Sequence, residues 1–151
     1  MIKIKSQEEI DLMREAGRIT RDTLKVVENS IRVGISTKEL DKIAFDYIKS
    51  QGATPSFKNY CGFPGSICAS VNDTIVHGIP SNNIILKEGD IISIDCGAKY
   101  KGYHGDAART FPVGKIDAKV KRLIKVTEQS FFEGIKDLKS GAFVGDISHR
   151  I

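Results

Sequence analysis

At 151 residues the chain has the length of a single compact domain, long enough to bury an apolar core without a disulfide or metal staple. Apolar residues make up 40% and charged residues 28%, the balance of a soluble globular protein; the apolar runs are too short for a membrane span, and the opening MIKIKSQEE lacks the apolar core of a secretion signal. The net charge of +4 is spread over many lysines, densest between Lys115 and Lys125, which reads as a solvated helix face; it allows a weak ribosome association, but no nucleic-acid motif is present and DNA is not an expected partner.

Ser6-Gln7-Glu8-Glu9 is a capping box and predicts a helix to about Asn29, with Ile10, Met13, Ile19, Leu24 and Val27 at helical spacing. Ser36-Thr37-Lys38-Glu39 is a second such box and opens a helix carrying Leu40, Ile43, Ala44 and Ile48, closed near Gly52. The pattern then turns to short β-rich pieces at 66–71, 74–77, 91–98 and 103–111, punctuated by Asn72-Asp73, Glu88-Gly89-Asp90 and Lys101-Gly102. A third helix is expected over 117–137, with a break at Gly141 and a new helical start at Gly145-Asp146. Cys61, Cys68 and Cys96, an odd number in no metal-finger spacing, point to free thiols and a reducing, cytoplasmic location.

A repeat underlies this order. Sliding the sequence by 107 residues lays Met13–Ala44 over Val120–Ile151, with Gly34 on Gly141, Glu39 on Asp146, Leu40 on Ile147 and Thr20 on Thr127. Both copies read as a long helix, a glycine turn and an acid-capped second helix, which points to two pseudo-symmetric units, 1–115 and 116–151, of one domain. The first copy continues into strands, so the symmetry predicts a parent chain longer by roughly 70 residues or more.

Asp95 stands inside an apolar strand run and Asp106 in the next one. A hairpin turn at Tyr100-Lys101 pairs Lys99 with Gly102 and Asp95 with Asp106, and opposed residues carry Cβ atoms about 4.5–5.5 Å apart on one face. Two ionised carboxylates so placed repel. The pair can share a proton, bind an internal base such as Arg109, or hold a cation with help from other ligands. Spacing alone leaves the ion network and the metal site open. His77 lies before a loop in Val76-His77-Gly78-Ile79-Pro80, a placement that suits function; His104 shares the Asp106 face by alternation, and His149 reads as surface.

Three stretches taken together resemble the bacterial type I methionine aminopeptidases: Asn72–Pro80, Gly89–Asp95 and Gly102–Phe111, in one order with matching spacing, supported by Met13-Arg14-Glu15-Ala16-Gly17. The resemblance spans the whole chain but only the first part of the family's. It implies an α+β pita-bread fold, with the first pseudo-symmetric half and the start of the second. It implies removal of N-terminal methionine from nascent polypeptides by water activated between two divalent ions (Co, Mn, Fe or Zn). Asp95 and Asp106 are then metal ligands and His77 a catalytic residue contacting substrate, while Tyr60, Phe63, Cys68 and Phe57 match positions lining the methionine pocket. A thioether suits such a lining of rings and sulfur. Cys61 stands where many bacterial members have histidine, and Phe57 and Phe63 stand where cysteine and tyrosine are frequent. The family's remaining ligands, a histidine and two glutamates, match no residue here, so little peptidase activity is expected of these residues alone. A non-catalytic binding module and a proline-specific aminopeptidase are the alternatives.

Overall fold

Both capping boxes form. Ser6 Oγ accepts from Glu9 N at 3.2 Å while Glu9 Oε2 accepts from Ser6 N at 2.7 Å, which starts α1 (Gln7–Glu28). Ser36 and Glu39 repeat the exchange at 3.1 and 2.9 Å and start α2 (Thr37–Ser50). The structure, a computed structural model, describes residues 3–151 and divides into two compact units, Met1–Lys115 and Ile116–Ile151.

In the first unit the helices cover one face of an antiparallel sheet. Its long members are β3 (Ile91–Tyr100) and β4 (Tyr103–Pro112), with β2 (Ile67–Val71) and the two-residue β1 (Thr54–Pro55) on the other side of β3. The side-chain period of two sorts β3. Ile92, Ile94, Cys96 and Ala98 are buried with Ile19, Leu24, Val27, Leu40, Ala44 and Ile48 of the helices. The intervening Ser93, Asp95, Gly97 and Lys99 face the other way. A buried carboxylate, Asp41 of α2, accepts from the backbone N–H groups of Ser66 and Ile67 at 2.5 and 3.2 Å and so fixes where β2 begins.

The hairpin register differs from the sequence expectation. The turn residues are Lys101 and Gly102, at φ 46° and 92°, so Tyr100 pairs with Tyr103, Asp95 with Ala108 and Gly97 with Asp106. A two-residue hairpin loop of this twist needs positive φ at both central positions, and only a turn centred on Lys101-Gly102 places glycine at one of them. The shift is by two residues, so Asp95 and Asp106 stay on one face as diagonal neighbours, not opposite each other. The expected strand at 74–77 is also absent: Val76 and His77 have φ of 46° and 51°, which no strand accommodates.

In the second unit α3 (Ala118–Ile135) is capped by Asp117, whose carboxylate accepts from Lys119 N at 2.7 Å, and α4 (Val144–Arg150) follows. The local devices of the two units match at the offset read from sequence. Gly34 and Gly141 turn at φ 88° and 91°. Thr20 and Thr127 each donate to the carbonyl four residues back, at 3.0 and 2.9 Å. Asp146 accepts from Phe143 N at 2.9 Å as Glu39 does from Ser36 N. No helix among the described residues is long and apolar enough to cross a membrane.

β4 rests on α1 at Gly105, where a Cβ would lie 2.5 Å from the Ala16 carbonyl oxygen. Backbone cannot yield there, so Gly105→Ala is expected to cost ~1–3 kcal/mol, read as a lower urea midpoint at unchanged slope.

Candidate metal centre

The sheet face turned away from the helices carries the chemistry. Cys68 and Ser70 of β2, Ser93, Asp95 and Gly97 of β3, and His104, Asp106 and Ala108 of β4 share it by register. Cys68 stands directly opposite Asp95, and Gly97 directly opposite Asp106.

Asp95 is only half-buried as a residue, yet its Oδ1 is shielded from solvent and has no hydrogen-bond partner. Burial holds this carboxyl above the ordinary aspartate value, and the charge of Asp106 and direct contact with its carboxylate push the same way; the His77 imidazole and the Cys96 N–H act against them. Arg109 does not relieve the pair. It pairs with Ile94 and therefore lies on the opposite face, and among the described residues no salt bridge engages Asp95 or Asp106. The internal ion network left open by spacing is thus removed. What remains is a carboxylate pair with a buried, unsatisfied oxygen, an arrangement that fits a divalent cation and, without one, a shared proton. The described residues contain no group of three or more histidine, cysteine or acidic side chains placed to hold a metal, so Asp95 and Asp106 do not by themselves complete a cation site.

The expected neighbours fall into two groups. Cys68, Phe57 and His77 are drawn to the carboxylates. Burial first, then the charges of Asp95 and Asp106, raise the Cys68 thiol to about 11, and the His77 N–H acts against them; in the metal-free protein it is a neutral, soft wall. Phe57 packs over Gly97, where a Cβ would come 2.8 Å from its ring. His77 reaches the site because Gly78 presses against the β2 backbone: Ala69 N donates to Gly78 O at 2.9 Å and Gly78 N to Ser70 Oγ at 3.1 Å. Phe63 is half-buried and packs near Gly65, whereas Tyr60, on a short 3-10 turn (Tyr60–Gly62), is 72% exposed. His104 is engaged elsewhere, its Nδ1 lying 2.9 Å from Ser56 Oγ; His149 is exposed on α4. Cys61, Cys68 and Cys96 are free thiols. Sequence reasoning missed Ser56 and Gly97. A glycine inside a strand signals close approach of another segment, and here that segment is Ser56-Phe57.

The family model of metallopeptidase family M24 matches residues 11–151. The chain belongs to that family. Within M24 it is 52% identical over 151 residues to a methionine aminopeptidase of Clostridium acetobutylicum and 55% identical to methionine aminopeptidase 1 of Bacillus subtilis, covering all of this chain and 60% of each relative. The crystal structure of methionine aminopeptidase from Thermotoga maritima superposes with a TM-score of 0.97 at 39% identity, over 100% of this chain and 61% of that one. The chain thus spans about 60% of the length of the curated relatives it matches, and its α+β architecture is the first part of the M24 pita-bread fold.

The raised Asp95 fixes a sign. Its folded value lies above its unfolded one, so its contribution to stability is present below the ordinary aspartate value and is lost as pH rises through the raised value. Above that raised value the ionised Asp95 therefore weakens the metal-free fold. Asp95→Asn is expected to raise the metal-free Tm at pH 7 while abolishing the Tm gain given by Mn(II). Equal Mn(II) gains in both proteins would count against Asp95 as a ligand.

Proposed function

We propose that these residues form one wall of the catalytic centre of a cytoplasmic, metal-dependent methionine aminopeptidase acting on the N-termini of nascent polypeptides. The observation that carries the reading is the Asp95–Asp106 pair, engaged by no salt bridge among the described residues and with a buried oxygen lacking a partner, set beside the neutral thiol of Cys68 and the ring of Phe57. The names of the relatives support the reaction, and three free thiols suit a reducing compartment.

Asp95 and Asp106 would hold two divalent ions, with Asp106, the more exposed of the two, reaching both. Carboxylate oxygens suit Mn, Fe, Co or Zn. Such ions, when bound, polarise a carbonyl and acidify water for attack on the first peptide bond. The chain's own residues supply the rest of this wall. Cys68 and Phe57, with Phe63 and Tyr60 further along the same segment, offer sulfur and aromatic surface that matches a thioether. His77 would donate from its ring to the carbonyl oxygen or the leaving amide nitrogen, stabilising charge that develops there. By themselves the 151 residues provide two of the ligands, so the isolated polypeptide should bind metal weakly and not turn over.

The test is an assay of methionine release from Met-Ala-Ser with Mn(II) or Co(II). The 151-residue polypeptide should give no steady release; the same residues joined to the C-terminal part of a relative should. In the joined protein, His77→Ala should lower kcat by about 10²–10³, and Asp106→Asn should remove activity together with Mn(II) affinity measured by calorimetry. Undiminished release by the Asp106 variant would overturn the assignment.

A further inference from the structure

The sheet face that carries Asp95 and Asp106 also carries a histidine that the reaction does not use. His104 lies two residues before Asp106 on that face, yet its Nδ1 is 2.9 Å from Ser56 Oγ. Ser56 is tied to the same strand a second time, its backbone N–H donating to Gly97 O at 2.9 Å. The next residue, Phe57, lays its ring on Gly97: a Cβ built there would stand 2.8 Å from Phe57 Cε1, 2.8 Å from Ser56 Cβ and 3.1 Å from Ser56 Oγ. Gly97 is the cross-strand partner of Asp106 and lies two residues from Asp95 on the same face. The ring therefore lies on the residue between the two acids in the register.

The geometry points to His104 as a positioning residue: through Ser56 it clamps Phe57 onto Gly97, so that β4, which carries Asp106, also fixes the aromatic wall beside it. The inference rests on the pocket reading of Phe57 for its functional meaning and on the hydrogen bond and packing alone for its structural content. Two hydrogen bonds tie Ser56 to the β3–β4 hairpin. One, to the Gly97 carbonyl, depends on no side chain; the other depends wholly on His104 and Ser56. Loss of the second lets the segment lift by rotation about the first, which opens the space above Gly97. The absence of a side chain at Gly97 is required for the seat to exist, and it explains a glycine at a mid-strand position where glycine otherwise weakens the sheet.

The test is NMR of the labelled 151-residue chain, read at Gly97. The Phe57 ring should displace the Gly97 α-proton resonances upfield and give cross-relaxation to them, and Phe57→Leu should remove both signals. His104→Leu and Ser56→Ala should each remove most of the displacement, whereas His104→Asn, whose side-chain amide nitrogen takes the place of Nδ1, should restore it. Should His104→Leu fail to fold, Ser56→Ala carries the same test. A Gly97 signature that survives in both variants, or that is lost equally in His104→Asn, overturns the clamp. Mn(II) titration of the same proteins is the second arm. Affinity should be unchanged in His104→Leu; a loss of about tenfold or more, the scale of a ligand or its direct support, would make His104 part of the metal centre and overturn the proposal. Wild-type Mn(II) affinity in Asp95→Asn and Asp106→Asn would sink the metal reading and leave the Gly97 signature to decide the clamp.

Discussion

The structure depends on an electrostatic imbalance left in place: two carboxylates meet on one sheet face, and among the described residues no salt bridge engages either. Burying one of two like charges opposes folding, so the fold must hold Asp95 and Asp106 together by other means. It does so through β3, whose even positions Ile92, Ile94, Cys96 and Ala98 are locked into the core. Burying side chains of this size contributes about 1.5–3 kcal/mol each for the larger ones. That is ample to hold one half-buried acid against repulsion. The alternation that buries Ile94 and Cys96 is the same alternation that forces Asp95 out onto the opposite face. The acid is thus placed by its neighbours' hydrophobicity.

Three glycines convert this strand pair into a site, each by removing a side chain where another segment must touch backbone. Gly105 lets β4 lie on the Ala16 carbonyl of α1, Gly97 lets Phe57 lie on β3, and Gly78 lets the His77 segment lie on β2. Asp41 sets the remaining strand, because its buried carboxylate accepts from both N–H groups at the entry to β2 and so fixes which residue, Cys68, stands opposite Asp95. Each of these close contacts acts on a different strand or segment around Asp95 and Asp106.

Elements whose signals are local were legible in the sequence. Ser6 with Glu9 and Ser36 with Glu39 start their helices where the capping pattern puts them, and Asp95 and Asp106 were recognisable because charge inside an apolar strand run is anomalous. The hairpin register was misplaced by two residues because the opposed-acid pairing was read from a turn at Tyr100-Lys101, while backbone twist demands positive φ at Lys101 and Gly102. The pairing of Ser56 with His104, 48 residues apart, has no local signal at all. Nor has the failure of Arg109 to reach the acids, which follows only from its register opposite Ile94. The expected strand at 74–77 failed for a related reason: its β-branched composition is real, but the Gly78 contacts with Ala69 and Ser70 override it.

The cost of that override is concentrated beside the carboxylates. Val76 and His77 both sit at positive φ, as do Asn59 and Cys61 in the segment that follows Phe57. A left-handed conformation is disfavoured by about 1–2 kcal/mol for an L residue and is rarest for a β-branched one such as valine. Asparagine tolerates it best, which accounts for Asn59 and Asn72, and the two-residue hairpin loop demands it of Lys101, but neither reason covers Val76. The valine's side chain is 65% exposed, so no burial compensates its backbone. What the conformation accompanies is the direction of the next residue: with Gly78 held flat on β2, His77 comes close enough to act on both the Cys68 thiol and the Asp95 carboxyl. Strain retained at a place where relaxing it would move a single histidine away from the acids is strain that positions that histidine.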